Sequence, residues 1–206
     1  MKKRNRIIAA VNKQYHKQTH KYGIKVRKTV QEAIQLDKEN GNTLWQEAIA
    51  KEMDAVGIAF RISEEDSTIP PGYSEIDCHM IFTVKLEDFR RKARFVAGGH
   101  LTETPPPAAT YASVVSRESV RITLTLAALN DLEVKTSDVM NAFLSSPTSE
   151  KYYYTCRPKF AKDAGKQALV VRSLYGLKTA GASYCNHMVD CMRTMGYRPC
   201  LADPDV

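Results

Sequence analysis

The chain has 206 residues, 43% hydrophobic and 26% charged, an ordinary balance for a soluble globular protein with room for one domain, or one and a half. Lys and Arg number 30 against 23 acids, and the net charge of +7 favours polyanionic partners such as nucleic acid, although a merely basic soluble protein would carry the same excess. No apolar run approaches the ~18 residues of a membrane span, the start "MKKRNRIIAAVNKQYHK" does not read as a signal peptide, and five cysteines without a CxxC pair read as reduced thiols, so an intracellular protein is expected.

In chain order, residues 1–41 read as a basic arm or linker, partly helical, carrying Lys2, Lys3, Arg4, Arg6, Lys13, Lys17, Lys21, Lys25, Arg27 and Lys28. His16 and His20 stand one helical turn apart there, the spacing of a solvated helix face. From Asn42 the spacing of Trp45, Ile49, Met53 and Val56 predicts an amphipathic helix with Asn42 or Thr43 as its cap. "IDCHMIFTVKLEDFRRKARFVAGGHL" holds two alternating runs separated by "EDFRR" and closed by Gly98 and Gly99, which predicts a β-hairpin. The prolines of "TETPPPAATYAS" predict a loop. Ser116 then caps a helix whose stripe of Val120, Leu124, Ala127 and Ala128 should pack on something.

Further on, "EVKTSDVMNAFLSS", "KYYYTCRP" and "QALVVRSL" read as strands. A closing helix carries Tyr184, Met188, Cys191, Met192 and Met195 in one stripe, with Gly196 as its stop. No internal repeat is present. The expected fold class is α+β, an antiparallel sheet backed by helices. Cys185, His187, Cys191 and Cys200 cluster in sequence, but at spacings that match no zinc ribbon or knuckle.

Asp138 lies in the interior of a predicted strand whose other acid, Glu133, is its first residue, and from spacing alone it reads as a turn or cap residue before Met140 or as a metal ligand on a rigid element. Its surroundings point further. "LWQEAIAKEM", "RRKARFVAGGHL", "TYASVVSRESVRITLTLAA", "SDVMNAFLSS", "VVRSLYGLKTAGASY" and "GYRPCLADPDV" occur in an order that resembles the reverse transcriptase domain of copia-type retrotransposons, from about Thr19 to Val206. The family's usual forms are "YKARLVAKG", "DVKTAFL", "SLYGLKQAPR" and "DPCVY", and this chain departs from them most at "LKTAGASY" and "KYYYTCRP".

The resemblance implies a right-hand polymerase: a basic arm over 1–41, then over 42–206 the fingers and a partial palm, truncated before the second catalytic hairpin. It implies RNA-directed DNA polymerase activity through two Mg2+ ions, with an RNA or DNA template-primer, deoxynucleotide triphosphates and the rest of the Pol polyprotein as partners, in the cytoplasm (in a virus-like particle) or the nucleus. Asp138 matches the catalytic acid that bridges both ions, and the carbonyl of Val139 is its usual companion. Phe143 matches the aromatic that lies under the incoming sugar and rejects a 2′-hydroxyl, where plain core packing is the alternative. Lys92 and Arg94 share one strand face, with Lys85 on the preceding strand, and are candidates to hold the triphosphate or else to decorate a solvated edge. Gly176 would let a backbone approach a ligand, flanked by Tyr175 for stacking and Lys178 for phosphate, unless it is an ordinary turn glycine.

The family's aromatic-x-Asp-Asp motif follows the block that "DPDV" resembles, and no Asp-Asp pair occurs in this chain. Asp203 and Asp205 straddle Pro204 in an expected turn and are not promoted to ligands. The expectation is therefore an enzyme fragment that is silent by itself, or alternatively a non-catalytic remnant that binds nucleic acid through its basic surface.

Overall fold

The computed structural model describes residues 19–63, 68–201, 203 and 205. Six of the expected arm cations (Lys2, Lys3, Arg4, Arg6, Lys13 and Lys17), together with His16, lie outside those residues. The chain divides into two compact units, one formed by residues through Ala55 with Cys78–Val96, the other by Val56–Asp77 and Ala97 onward.

In the first unit, a short ribbon pairs β1 (His20–Lys21) with β2 (Ile24–Lys25) and leads to α1 (Val30–Asn40), with Thr29 accepting the Glu32 N–H at its start and Gly41, at φ 63°, ending it. Only a residue tolerant of left-handed backbone turns a chain there without strain. The second helix, α2 (Leu44–Val56), starts where expected: Asn42 accepts the Leu44 N–H at 3.4 Å, and the next two N–H groups go to a residue outside the local stretch. The carboxylate of Asp37, fully buried at the end of α1, takes the N–H groups of Trp45 at 3.0 Å and Gln46 at 2.9 Å. Those are two of the donors that a helix N-terminus leaves without partners.

The hairpin forms as the alternation predicts, from β5 (Cys78–Val84) and β6 (Arg91–Ala97). Cys78, Met80, Phe82, Val84, Ala93, Phe95 and Ala97 form its buried face, and Phe82 meets the ring of Trp45 edge-on at 5.5 Å. Each large side chain buried on that face contributes about 2–3 kcal/mol of hydrophobic stabilisation. The loop closes where the Lys85 N–H donates to the Arg90 carbonyl at 3.0 Å.

The second unit is built on a sheet in the order β3 (Phe60–Ile62), β8 (Gln167–Val170), β7 (Tyr152–Thr155), β4 (Ser74–Glu75). The strands expected at "KYYYTCRP" and "QALVVRSL" are β7 and β8, and they pair antiparallel, as β3 does with β8. The sheet is nevertheless mixed, because β4 runs parallel to β7 with Ser74 opposite Tyr152. Four-residue strands have no helical crossover to announce a parallel neighbour, so a two-residue pairing of this kind leaves no local pattern. Phe60, Tyr154 and Phe160 bring their rings together at 5.4–6.0 Å on one side of this sheet.

Three expectations are corrected here. Residues 133–139 form no strand and are exposed: alternation says which side chains share a face, but a strand persists only beside a neighbour, and no described strand pairs with this segment. The proline-rich loop contains one helical turn, α3 (Pro107–Thr110), because proline is well placed at the first helical position, where its missing N–H costs nothing. The helix capped by Ser116, α4 (Arg117–Leu129), forms as predicted, yet of its stripe only Ala127 is buried, with Val120 42% and Leu124 49% exposed. A single turn, α5 (Ala142–Ser145), and the closing helix α6 (Ala180–Thr194) complete the unit and pack on each other. No described helix is long and apolar enough to cross a membrane, and all five cysteines are free.

Candidate active site

Asp138 stands in the exposed, irregular segment between α4 and α5. No described residue hydrogen-bonds or ion-pairs its carboxylate, and it does not cap α5, whose N-cap position is Asn141 at φ 53°. Asparagine tolerates that left-handed backbone better than most residues. Val139 beside it is 43% exposed. The bend at Asn141 delivers Phe143 onto an aromatic cluster, its ring 4.7 Å from that of Tyr175 and 6.1 Å from that of Tyr184 on α6. Burial pushes the Tyr184 phenol above its ordinary range, and the charges of Cys185, Asp138 and Cys191 push in the same direction. Asp138, Phe143, Tyr175 and Tyr184 therefore share one neighbourhood. Tyr184 was legible only as part of the helical stripe, because nothing local pairs it with Phe143.

The turn that presents Tyr175 is fixed by glycines. Gly176 has φ 95°, and the Tyr175 carbonyl accepts the Ala97 N–H at 2.8 Å. A Cβ on Gly99 would stand 2.1 Å from the Gly176 carbonyl oxygen. The backbone that Gly176 admits at close range is thus that of Gly99. Lys178 follows, and its ammonium donates to the carbonyls of Thr102 at 2.6 Å and Glu103 at 3.2 Å and to the Thr104 hydroxyl at 3.5 Å. Three acceptors on one ammonium pin the proline-rich loop to the turn. Glu150 does similar work for α6, accepting the Thr179 N–H at 2.9 Å and its hydroxyl at 2.6 Å. In the same unit, an open cleft of about 1400 Å³ lies between this loop and β4–β7, lined among others by Leu101, Pro105, Glu75, Asp77, Tyr152 and Arg157.

Asp203 and Asp205 bind within the chain. Asp203 accepts the Ser116 N–H at 3.2 Å and the Ser119 hydroxyl at 2.5 Å, and Asp205 accepts the Ser113 hydroxyl at 2.6 Å. The Ser119 hydroxyl above all, with the N–H groups of Asp205 and Ser116, holds the Asp203 carboxyl below its ordinary range. A lowered folded value means that this clasp is complete above the ordinary carboxylate pKa of ~3.9 and opens as pH falls through the lowered one. The Ser116 amide resonance is expected to shift over that acid range, and Asp203→Asn should abolish the titration. A Ser116 shift that persists in the variant would show that another group causes it.

In the first unit, Lys92 and Arg94 project from the outward face of β6, and Lys85 follows β5 with its ammonium 3.9 Å from Glu87. Burial lowers the Lys92 pKa, and the charges of Arg94 and Lys85 lower it further. A lysine whose pKa is lowered by its cationic neighbours stands close to them, an arrangement suited to a polyanion.

A magnesium ion is bound by several oxygen ligands, usually carboxylates with waters and substrate phosphates. Among the described residues, no three His, Cys, Asp or Glu side chains come together. Cys191 and His187 meet at 3.7 Å without a third such group. Among the described residues, the donors that the resemblance assigns, the Asp138 carboxylate and the Val139 carbonyl, do not by themselves make a two-ion site.

Residues 67–203 match the family described as reverse transcriptase (RNA-dependent DNA polymerase). The chain is 32% identical over 146 residues to the Retrovirus-related Pol polyprotein from transposon TNT 1-94 of Nicotiana tabacum, covering 67% of this chain and 11% of that protein. It is 29% identical over 179 residues to the Retrovirus-related Pol polyprotein from transposon RE2 of Arabidopsis thaliana, covering 83% of this chain and 12% of that one. The corresponding RE1 polyprotein of the same plant is 29% identical over 77% of this chain and 11% of its own length. The chain thus spans about a ninth of the curated relatives it matches. No solved structure matches it. With two thirds of its length inside that family and its relatives named as transposon Pol polyproteins, the chain belongs to the reverse transcriptase (RNA-dependent DNA polymerase) family of copia-type retrotransposons.

Proposed function

We propose that the chain supplies the fingers and the first part of the palm of a right-hand RNA-directed DNA polymerase, preceded by a basic arm that adds sequence-independent phosphate contacts. Asp138 is its catalytic carboxylate and, with the Val139 carbonyl, its share of a magnesium site. Phe143 lies against the incoming sugar, backed by Tyr175 at the Gly176 turn. Lys85, Lys92 and Arg94 hold the triphosphate, with Arg94 able to offer a bidentate fork and the lysines point charges. Lys178 serves by holding the proline-rich loop against that turn. The template-primer, deoxynucleotides and the remaining Pol segments are the partners. The observation that carries the reading is the convergence of an exposed, uncommitted carboxylate at Asp138 with the Phe143, Tyr175 and Tyr184 rings.

Two-metal transfer owes its rate to charge placed around the reacting phosphate, so one acid in isolation should not sustain it. The 206-residue polypeptide is therefore expected to extend no primer in magnesium and deoxynucleotides. Incorporation that disappears in Asp138→Ala would refute this expectation. In hydrogen exchange, a template-primer with the matching deoxynucleotide should protect residues 138–146. The alternative, a binding remnant without chemistry, is favoured by the cation cluster, and it predicts a steep salt slope with no dependence on nucleotide or magnesium.

A further inference from the structure

Glu52 lies two turns along α2 from Trp45, and its carboxylate accepts the backbone N–H of Phe95 on β6 at 2.8 Å. Phe95 is fully buried and anchors the strand that carries Lys92 and Arg94 outward. The bond is therefore a side-chain tether between α2 and the backbone of the cationic strand. It is also electrostatic, because burial raises the Glu52 pKa while the Phe95 N–H, Lys92 and Arg94 oppose that rise. Lys92 in turn feels Arg94, Lys85 and Arg90 as repelling charges and Glu52 as the attracting one. Glu52 thus acts on Lys92 and Arg94, whereas Lys85 and Arg90, the further cations around Lys92, pair with Glu87 at 3.9 Å and Asp88 at 3.3 Å.

We propose that Glu52 is a positioning residue for polyphosphate binding by the hairpin: it tethers the strand bearing Lys92 and Arg94, and its protonation is coupled to occupancy of that face. The inference rests on the reading that these cations hold phosphate. When a polyanion docks there, the ionised Glu52 becomes a like charge close to it, and like charges raise a carboxyl pKa. By linkage, binding then draws a proton onto Glu52, and a lower pH strengthens binding.

Inorganic tripolyphosphate is the probe, with the full chain and its Glu52→Gln, Glu52→Ala and Lys92→Ala/Arg94→Ala variants. Glu52→Gln keeps an acceptor for the Phe95 N–H but removes the charge, and is expected to bind about fivefold tighter than wild type at pH 7.5. The difference should narrow as pH falls through the raised Glu52 pKa, where the wild-type carboxyl takes up its proton. His79, on the outward face of β5, and His20 are present in both proteins, so the ratio isolates Glu52. Protection of the Phe95 amide should survive in Glu52→Gln and fall in Glu52→Ala, which a purely electrostatic role would not produce. In the wild type, the Glu52 carboxyl-carbon titration should move up by about 0.7 pH unit on saturation, the same fivefold coupling.

A wild-type to Glu52→Gln ratio that stays constant as pH falls, or a carboxyl titration unmoved by tripolyphosphate, overturns the inference while leaving the phosphate reading intact. Absence of binding, or binding that Lys92→Ala/Arg94→Ala leaves unchanged, removes the phosphate reading and this inference with it.

Discussion

Gly99→Ala is expected to destabilise the protein by about 3 kcal/mol, at the upper end for overpacked sites. The new Cβ would stand 2.1 Å from the Gly176 carbonyl oxygen, 3.1 Å from its carbon and 3.3 Å from the Leu177 Cα. All three are backbone atoms, so no side chain can swing aside. Relief requires moving the turn that presents Tyr175, and with it the ring on which Phe143 packs. At roughly 2–4 °C per kcal/mol for a chain of this size, calorimetry should show the melting temperature falling by about 6–12 °C. Gly57→Ala is the control, since nothing lies within 4 Å of its added Cβ, and it should change stability by less than about 1 kcal/mol. A Gly99→Ala protein that melts like Gly57→Ala would mean that the Gly99–Gly176 approach is not close in solution.

Asp37→Ala carries the second large effect, a loss of about 2–3 kcal/mol, combining a lost helix cap with buried backbone donors left unpaired. The carboxylate is fully buried and serves both Trp45 and Gln46. Asp37→Asn retains one acceptor oxygen and should lose about half as much. Trp45 is the only tryptophan, and it is 2% exposed, so its fluorescence reports directly on this helix start during denaturant unfolding. Equal midpoints for Asp37→Ala and wild type would show that Asn42 and Thr43 suffice as the cap.

The elements that were legible beforehand are those whose determinants lie within one or two turns of chain. Ser116 caps α4 through the N–H of Ser119, three residues on, and the hairpin announces itself by strict alternation over seven-residue strands. The cationic residues of β6 could be assigned to one face for the same reason, since side chains alternate across a strand. The chemistry of Asp138 and Phe143 was likewise visible, but as a resemblance carried by motif order and not by periodicity. Asp203 shows the limit of local reading: its turn with Asp205 was expected, whereas its hold on Ser116 and Ser119, more than 80 positions earlier, was not.

Local pattern in this chain thus determined which residues become helix, hairpin and cap, because propensity, alternation and capping act between near neighbours. Whether an apolar face is covered, or an alternating run finds a strand to pair with, depends on what arrives from elsewhere in the chain. That is why residues 133–139 stay irregular, why β4 joins β7 in parallel, and why Asp37 adds a buried cap to the one Asn42 gives α2. Lys178 makes the same point at the scale of one ammonium group. Its sequence neighbours suggested a phosphate, and the fold surrounds it with the oxygens of Thr102, Glu103 and Thr104, since a cation goes to the acceptors that folding brings nearest.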